Sequence, residues 1–226
     1  MFTIGYREFI NSFKSIKSLL TIITMISLSY AIAYYSDKYI SIIYEEFNLT
    51  SLASLLLVML ILGFLFVFSI SHDTFSREIH SRTARFLVTK TNRDTIVIGK
   101  FLGIMFFWIA CIVIATILLI TITMNFSVED FFQIIVFITY PITFCILISI
   151  IFSRPGYSMF IGLFAAIAIP AVSFWSISSN NIFIGWLKYF TPYYYAYEGG
   201  YKHYFILILS AILLVLSVIL FRRKEL

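Results

Sequence analysis

The residues of this sequence that could do chemistry sit at the edges of long apolar runs, and none of them forms a catalytic constellation. Asp73, Glu78, Arg82, Thr83, Arg85 and Arg93 share one short mixed-charge segment, 72–100, with Phe75, Ile79, Phe86 and Leu87 as apolar points between them. Such a surface suits docking onto another protein, although a solvated connector carries the same residue types. Gly99–Lys100 is not a phosphate cradle, because Asp94 stands where the first glycine of a Walker A loop belongs and Phe101 where Ser or Thr must follow. His72, His80 and His203 lack the spacing of metal ligands. Cys111 and Cys145 fall inside apolar runs, where a cysteine acts as a small hydrophobic residue. Glu45–Glu46 is a carboxylate pair without a partner motif, and no nucleophile stands beside a base. The expectation is a protein that is not an enzyme and holds no metal or cofactor of its own.

The elements that position these residues follow from composition. Of 226 residues 61% are apolar and 12% charged, roughly half the usual 25% charge of a soluble domain. The apolar residues come in blocks long enough to cross about 30 Å of hydrocarbon at 1.5 Å per residue. Residues 55–68 are apolar on every face, without the period-two alternation of a barrel strand. The prediction is an all-α polytopic membrane protein of one domain, 1–226, with six transmembrane helices near 18–35, 49–71, 101–124, 131–152, 157–177 and 204–221. Pro141 and Pro170 should kink the fourth and fifth. The first run has no clear cleavage site and is expected to stay as a span. No span carries a central acid or base, which disfavours an ion-coupled transporter.

Charge sets the orientation. Arg7, Lys14 and Lys17 precede the first span, six basic residues lie in 72–100, Arg154 follows the fourth span, and Arg222, Arg223 and Lys224 follow the last. These are thirteen of the sixteen basic residues, leaving Lys38, Lys188 and Lys202 with Asp37, Glu45, Glu46, Glu129, Asp130 and Glu198 on the other side. The positive-inside rule therefore predicts that both termini are cytoplasmic, as an even number of spans requires. The net charge of +5 points to headgroups rather than to nucleic acid. Within the leader, Phe9, Phe13, Ile16 and Leu20 recur at helical spacing opposite Arg7, Asn11, Lys14 and Ser18, which predicts an interfacial amphipathic helix over 1–17. At the other end, eleven aromatic residues lie between Phe183 and Phe205, among them Trp186, Tyr189, Tyr193 and Tyr195. An external aromatic segment over 178–203, re-entrant or interfacial and broken at Pro192 and Gly199–Gly200, is expected.

The stretch from Glu78 through Arg82, Thr83, Ala84, Arg85, Phe86 and Leu87 to Arg93 and Gly99–Lys100 resembles the loop after the second span of ABC-2 type permeases, the membrane subunits of a large group of ABC transporters. In that family a Glu is followed by a small–Thr pair, an apolar pair, a Pro-containing turn, an Arg, and a Gly–Lys opening the third span. This chain departs at Arg82, where Gly is frequent, and at Lys90, where Pro is common. Tyr189-Phe190-Thr191-Pro192-Tyr193-Tyr194 looks like the family's Thr–Pro element before the last span. The resemblance implies six spans, an interfacial N-terminal helix, and a cytoplasmic coupling helix in 72–100. It also implies a partner ATPase subunit that binds ATP and its magnesium ion, and a second permease copy. Under it Asp73, Glu78, Arg82, Thr83, Arg85 and Arg93 are ATPase-coupling residues. The expected function is ATP-driven export, across the cell membrane, of an amphipathic or hydrophobic cargo such as a peptide, lantibiotic, drug or lipid. The alternative is a non-transporting sensor or immunity subunit that binds its ligand at Trp186, Tyr189, Pro192, Tyr193 and Tyr195. An intramembrane protease would need Glu and His pairs within spans, which this sequence lacks.

Overall fold

Uninterrupted apolar runs leave the backbone few ways to pair its N–H and C=O groups away from water, and the chain takes the helical one. The computed structural model describes residues 2–35, 51–123, 126–179 and 182–224, and every regular element among them is helical. α1 (Phe2–Lys14) and α2 (Ile16–Tyr35) are parted by Ser15 alone. After α3 (Ser51–Ser71) come two short helices, α4 (Ser76–His80) and α5 (Ala84–Lys90), and then α6 (Arg93–Thr123), α7 (Val128–Ile151) and α8 (Pro155–Ser178). α9 (Ile182–Gly185), a 3-10 turn (Trp186–Phe190), α10 (Pro192–Glu198) and a second 3-10 turn (Gly200–Tyr204) lead into α11 (Phe205–Arg223). Six helices, α2, α3, α6, α7, α8 and α11, are long and apolar enough to cross a membrane. They are the six predicted runs, and the chain is an all-α polytopic membrane protein. Asp37, Lys38, Glu45, Glu46, Met124 and the first residues of the second predicted span lie outside the described residues.

α7 forms the centre: 83% of its apolar window is buried, against 22% for α2 and for α11. It packs against α3, α6, α8 and α11. Helices in lipid gain little from hydrophobic burial against one another, so close packing and interhelical hydrogen bonds hold them. Thr139 of α7 and Ser210 of α11 share a hydroxyl hydrogen bond of 3.0 Å, and Ser54 of α3 donates to the Ser29 carbonyl of α2 at 3.0 Å. α7 runs on through Pro141, and α8 through Pro170. Around the first of these, Thr139 Oγ1 donates to the Val136 carbonyl and Thr143 Oγ1 to the Tyr140 carbonyl, so side-chain hydroxyls add hydrogen bonds on either side of the proline.

α6 begins at Arg93 rather than near 101, and its 31 residues would measure about 46 Å at 1.5 Å each, so its first turns extend past the hydrocarbon. α1 packs along this end of α6 through three glycines. A Cβ on Gly103 would lie 2.5 Å from the Gly5 carbonyl oxygen and 2.8 Å from Glu8 Cβ, and one on Gly5 would lie 2.9 Å from the Gly99 carbonyl oxygen. Only backbones without side chains approach this closely. The leader stripe is shorter than predicted, because the helix breaks at Ser15: Phe13 packs on Phe107 at 4.8 Å, whereas Ile16 and Leu20 belong to α2 and face outward. Gly103→Val is therefore expected to lift α1 off α6 at a cost of about 2 kcal/mol. The check is loss of a disulfide cross-link between cysteines placed in α1 and α6, with the six spans retained by circular dichroism.

Candidate functional site: a pinned elbow and an aromatic cap

The residues that join α3 to α4 form an elbow, and side chains from four other helices hold it. α4 has no side-chain cap of its own. Ser149 of α7 supplies one from outside, its hydroxyl accepting from the Phe75 and Ser76 N–H groups at 2.9 and 3.0 Å. Ser158 of α8 donates to the His72 carbonyl at 2.6 Å, and His72 Nδ1–H donates to the Phe68 carbonyl at 2.9 Å. Phe75 is buried edge-on against Phe221 of α11, with centroids 5.2 Å apart.

The fastening with most charge comes from Lys100 of α6, which is 1% exposed. Its Nζ lies 2.8 Å from Glu78 Oε2 on α4 and 3.2 Å from Glu8 Oε1 on α1, donates to the Thr74 carbonyl at 2.5 Å, and sits 4.7 Å over the Phe75 ring. One ammonium thus ties the leader helix, the elbow and a membrane span together. Burying it is tolerable because two carboxylates, a carbonyl and an aromatic face replace its water. Beside it opens a polar cavity of about 300 Å³ walled by α1 and the elbow, with Arg7, Lys17 and Arg77 facing Glu8, Asp73 and Glu78.

The six predicted coupling residues divide into three groups. Asp73 and Glu78 turn toward the bundle, Asp73 pairing with Arg77 at 3.4 Å and Glu78 with Lys100; a local Glu78–Arg82 pair one helical turn apart is not what forms. Arg82 and Thr83 in the turn between α4 and α5, and Arg85 in the first turn of α5, form an exposed tip. Thr83 Oγ1 is 2.9 Å from Ser81 Oγ, and Arg82 holds φ at +59°, a left-handed conformation that glycine adopts more readily. Arg93 serves the opposite flank, where its Nη1 donates to the carbonyls of Phe221, Arg222 and Lys224 at 3.0, 2.6 and 2.9 Å and so caps α11, next to the ion pair of Asp94 with Arg222. Sequence reasoning passed over Glu8 and met Lys100 only as part of the Gly99–Lys100 motif, without giving it a role. The glycines at 99 and 103, four apart, and Gly5 three residues before Glu8 were the available signal.

At the far end, the aromatic segment breaks where expected, at Thr191–Pro192 and at Gly199–Gly200, whose φ values are +66° and +54°. Pro192 opens α10, and Tyr193 behind it is 3% exposed. The Tyr193 hydroxyl donates to the Leu60 carbonyl at 2.8 Å, in the middle of α3, and its ring stacks on Phe64 at 6.0 Å and touches Phe137 and Phe174. The segment thus dips a side chain into the bundle. Trp186 and Tyr189 face outward, while Tyr195 lies half-buried and donates to the Tyr189 carbonyl at 3.1 Å. Outside the spans, Glu198 is held below the usual carboxylate range by its hydrogen bond from Lys202. No family model matches the chain and no curated protein is similar to it.

Proposed function

We propose that this chain is the membrane permease subunit of an ATP-driven ABC exporter of the ABC-2 type. Two permeases work with two copies of a separate ATPase that binds ATP and magnesium. The observation that carries the reading is the pinned elbow with its exposed basic tip. Arg82 and Arg85 stand free of ion pairs among the described residues, while the elbow beneath them is bound to α6, α7, α8 and α11, and through Lys100 to α1. A force applied at such a tip passes into several spans at once, because packed helices shift as bodies rather than deform. The left-handed Arg82, at the position where the family often has glycine, supports the same reading. So does the charge asymmetry, which favours a cytoplasmic elbow and cytoplasmic termini.

Cargo follows from the walls. The spans offer aromatic and aliphatic contacts with little fixed charge, which fits a hydrophobic or amphipathic molecule better than a small ion. Export across the cell membrane is the direction that the resemblance implies.

The test is affinity purification from the native host of the unaltered chain and of the double variant Arg82→Glu/Arg85→Glu. The unaltered chain is expected to bring down an ATPase at one copy per permease. The variant should lose at least about tenfold of it, equivalent to about 1.4 kcal/mol, while the thermal stability of the bundle is unchanged. An unaltered chain that purifies without any ATPase, or a variant with undiminished assembly and turnover, defeats the reading. The first outcome favours a non-transporting sensor or immunity subunit.

A further inference from the structure

Three features of the aromatic segment come together at one exposed corner. Lys188 Nζ stands 4.9 Å from the centroid of Tyr194 and 5.2 Å from that of Tyr189. The two rings meet at 74°, with centroids 5.2 Å apart, so they form two walls of a box. A third group, Glu198, sits one helical turn beyond Tyr194 on α10, its carboxylate held by Lys202 Nζ at 2.7 Å. The box is set before any ligand arrives. Tyr193 anchors α10 in the core, Tyr195 donates to the Tyr189 carbonyl, Thr191 Oγ1 donates to the Lys188 carbonyl at 3.1 Å, and Tyr140 of α7 donates to the Phe190 carbonyl at 3.0 Å.

We propose that this corner binds the ammonium group of a zwitterionic phospholipid headgroup, phosphoethanolamine or phosphocholine, and that Lys188 is the tethered occupant it displaces. Two steeply inclined aromatic faces and a nearby carboxylate are what an ammonium needs to leave water. The lysine in the corner shows that the walls already hold one. Once displaced, Lys188 is free to meet the headgroup phosphate, and Lys202, bonded to Glu198, can join it. The occupant is a lipid because of the surroundings. Trp186, Phe190, Tyr197 and Tyr201 are exposed around the corner, the last at 93%, at the level where α11 begins. Amphipathic aromatics at a span's end sit among headgroups. The proposal needs neither an ATPase nor a direction of transport, and holds for either orientation of the chain.

Two experiments on the full chain test it. In nanodiscs made from equal parts of phosphatidylethanolamine and phosphatidylglycerol, native mass spectrometry counts the lipids that stay bound. Phosphatidylethanolamine should be retained about tenfold over phosphatidylglycerol, the scale of one desolvated cation–aromatic contact. The preference should vanish in Tyr194→Leu and in Glu198→Gln and persist in Tyr201→Ala. In detergent, choline binding read by saturation-transfer NMR should strengthen about tenfold in Lys188→Gln, which removes the tethered competitor and leaves every wall standing. Equal retention of the two lipids by the unaltered protein overturns the proposal, and so does choline binding indifferent to Lys188→Gln. Stronger choline binding without any lipid preference overturns the lipid assignment and gives the corner to a soluble ammonium compound.

Discussion

Lys100→Met is expected to destabilise the bundle by about 3 kcal/mol and to uncouple it from any attached ATPase. Removing one partner of a buried ion pair typically costs about 3–5 kcal/mol, because the charge left behind has lost its counter-charge. Here two carboxylates are left, Glu8 and Glu78, brought together by the same ammonium. The low end of the range applies, because their side chains keep 19% and 22% of their surface exposed. Thermal unfolding in detergent measures the loss. A triple variant, Lys100→Met with Glu8→Gln and Glu78→Gln, separates charge from shape. It should recover most of the stability, since no unpaired charge remains, but not the coupling, since three elements are no longer tied through one group. If Lys100→Met alone unfolds like the unaltered protein, the two carboxylates are adequately solvated without it and the elbow has no charged fastening to α1 and α6.

Tyr193→Ala is the second large effect, at about 3 kcal/mol. Truncating a buried aromatic residue costs about 3–5 kcal/mol in soluble cores through lost contacts and the cavity left behind. In lipid the transfer part shrinks and the packing part remains, which sets the low end. The missing ring would leave Phe64, Phe137 and Phe174 facing a void and cut the aromatic segment from α3. Tyr193→Phe keeps the stack and gives up only the bond to the Leu60 carbonyl, a loss of about 1 kcal/mol. Unfolding midpoints measure both variants, and water-soluble maleimide labelling of a cysteine at Leu60 reports whether the segment has lifted. An alanine variant no less stable than the phenylalanine one would mean that the ring seals nothing.

How much of this was legible follows from the range of each interaction. Helical type and the six spans are written locally, as unbroken apolar runs, and so are the breaks at Pro192 and Gly199–Gly200, where backbone preference acts on single residues. The ends of elements were less legible. α6 starts at Arg93 because the helix outruns the hydrocarbon, and the leader stripe stops at Lys14 because Ser15 interrupts it. The site residues were legible as a set only where they adjoin in sequence. Asp73, Glu78, Arg82, Thr83 and Arg85 share the elbow and its tip, but Arg93 is drawn away to cap α11, whose end no local pattern places beside it.

By itself, then, the sequence determined that this is a helical membrane protein with six spans, a basic end and an aromatic end, because hydrophobicity and charge act residue by residue against the lipid solvent. Only the tertiary structure decided that Lys100 is buried, that it joins Glu8 to Glu78, and that Tyr193 reaches Leu60 while Tyr194 stays outside with Lys188. Apart from Lys188 and Tyr194, which are near neighbours, those partners lie far apart along the chain. Which of them meet is settled by how closely the helices approach, as at Gly5 and Gly103, where the absence of side chains lets two backbones touch and carries a carboxylate to its lysine.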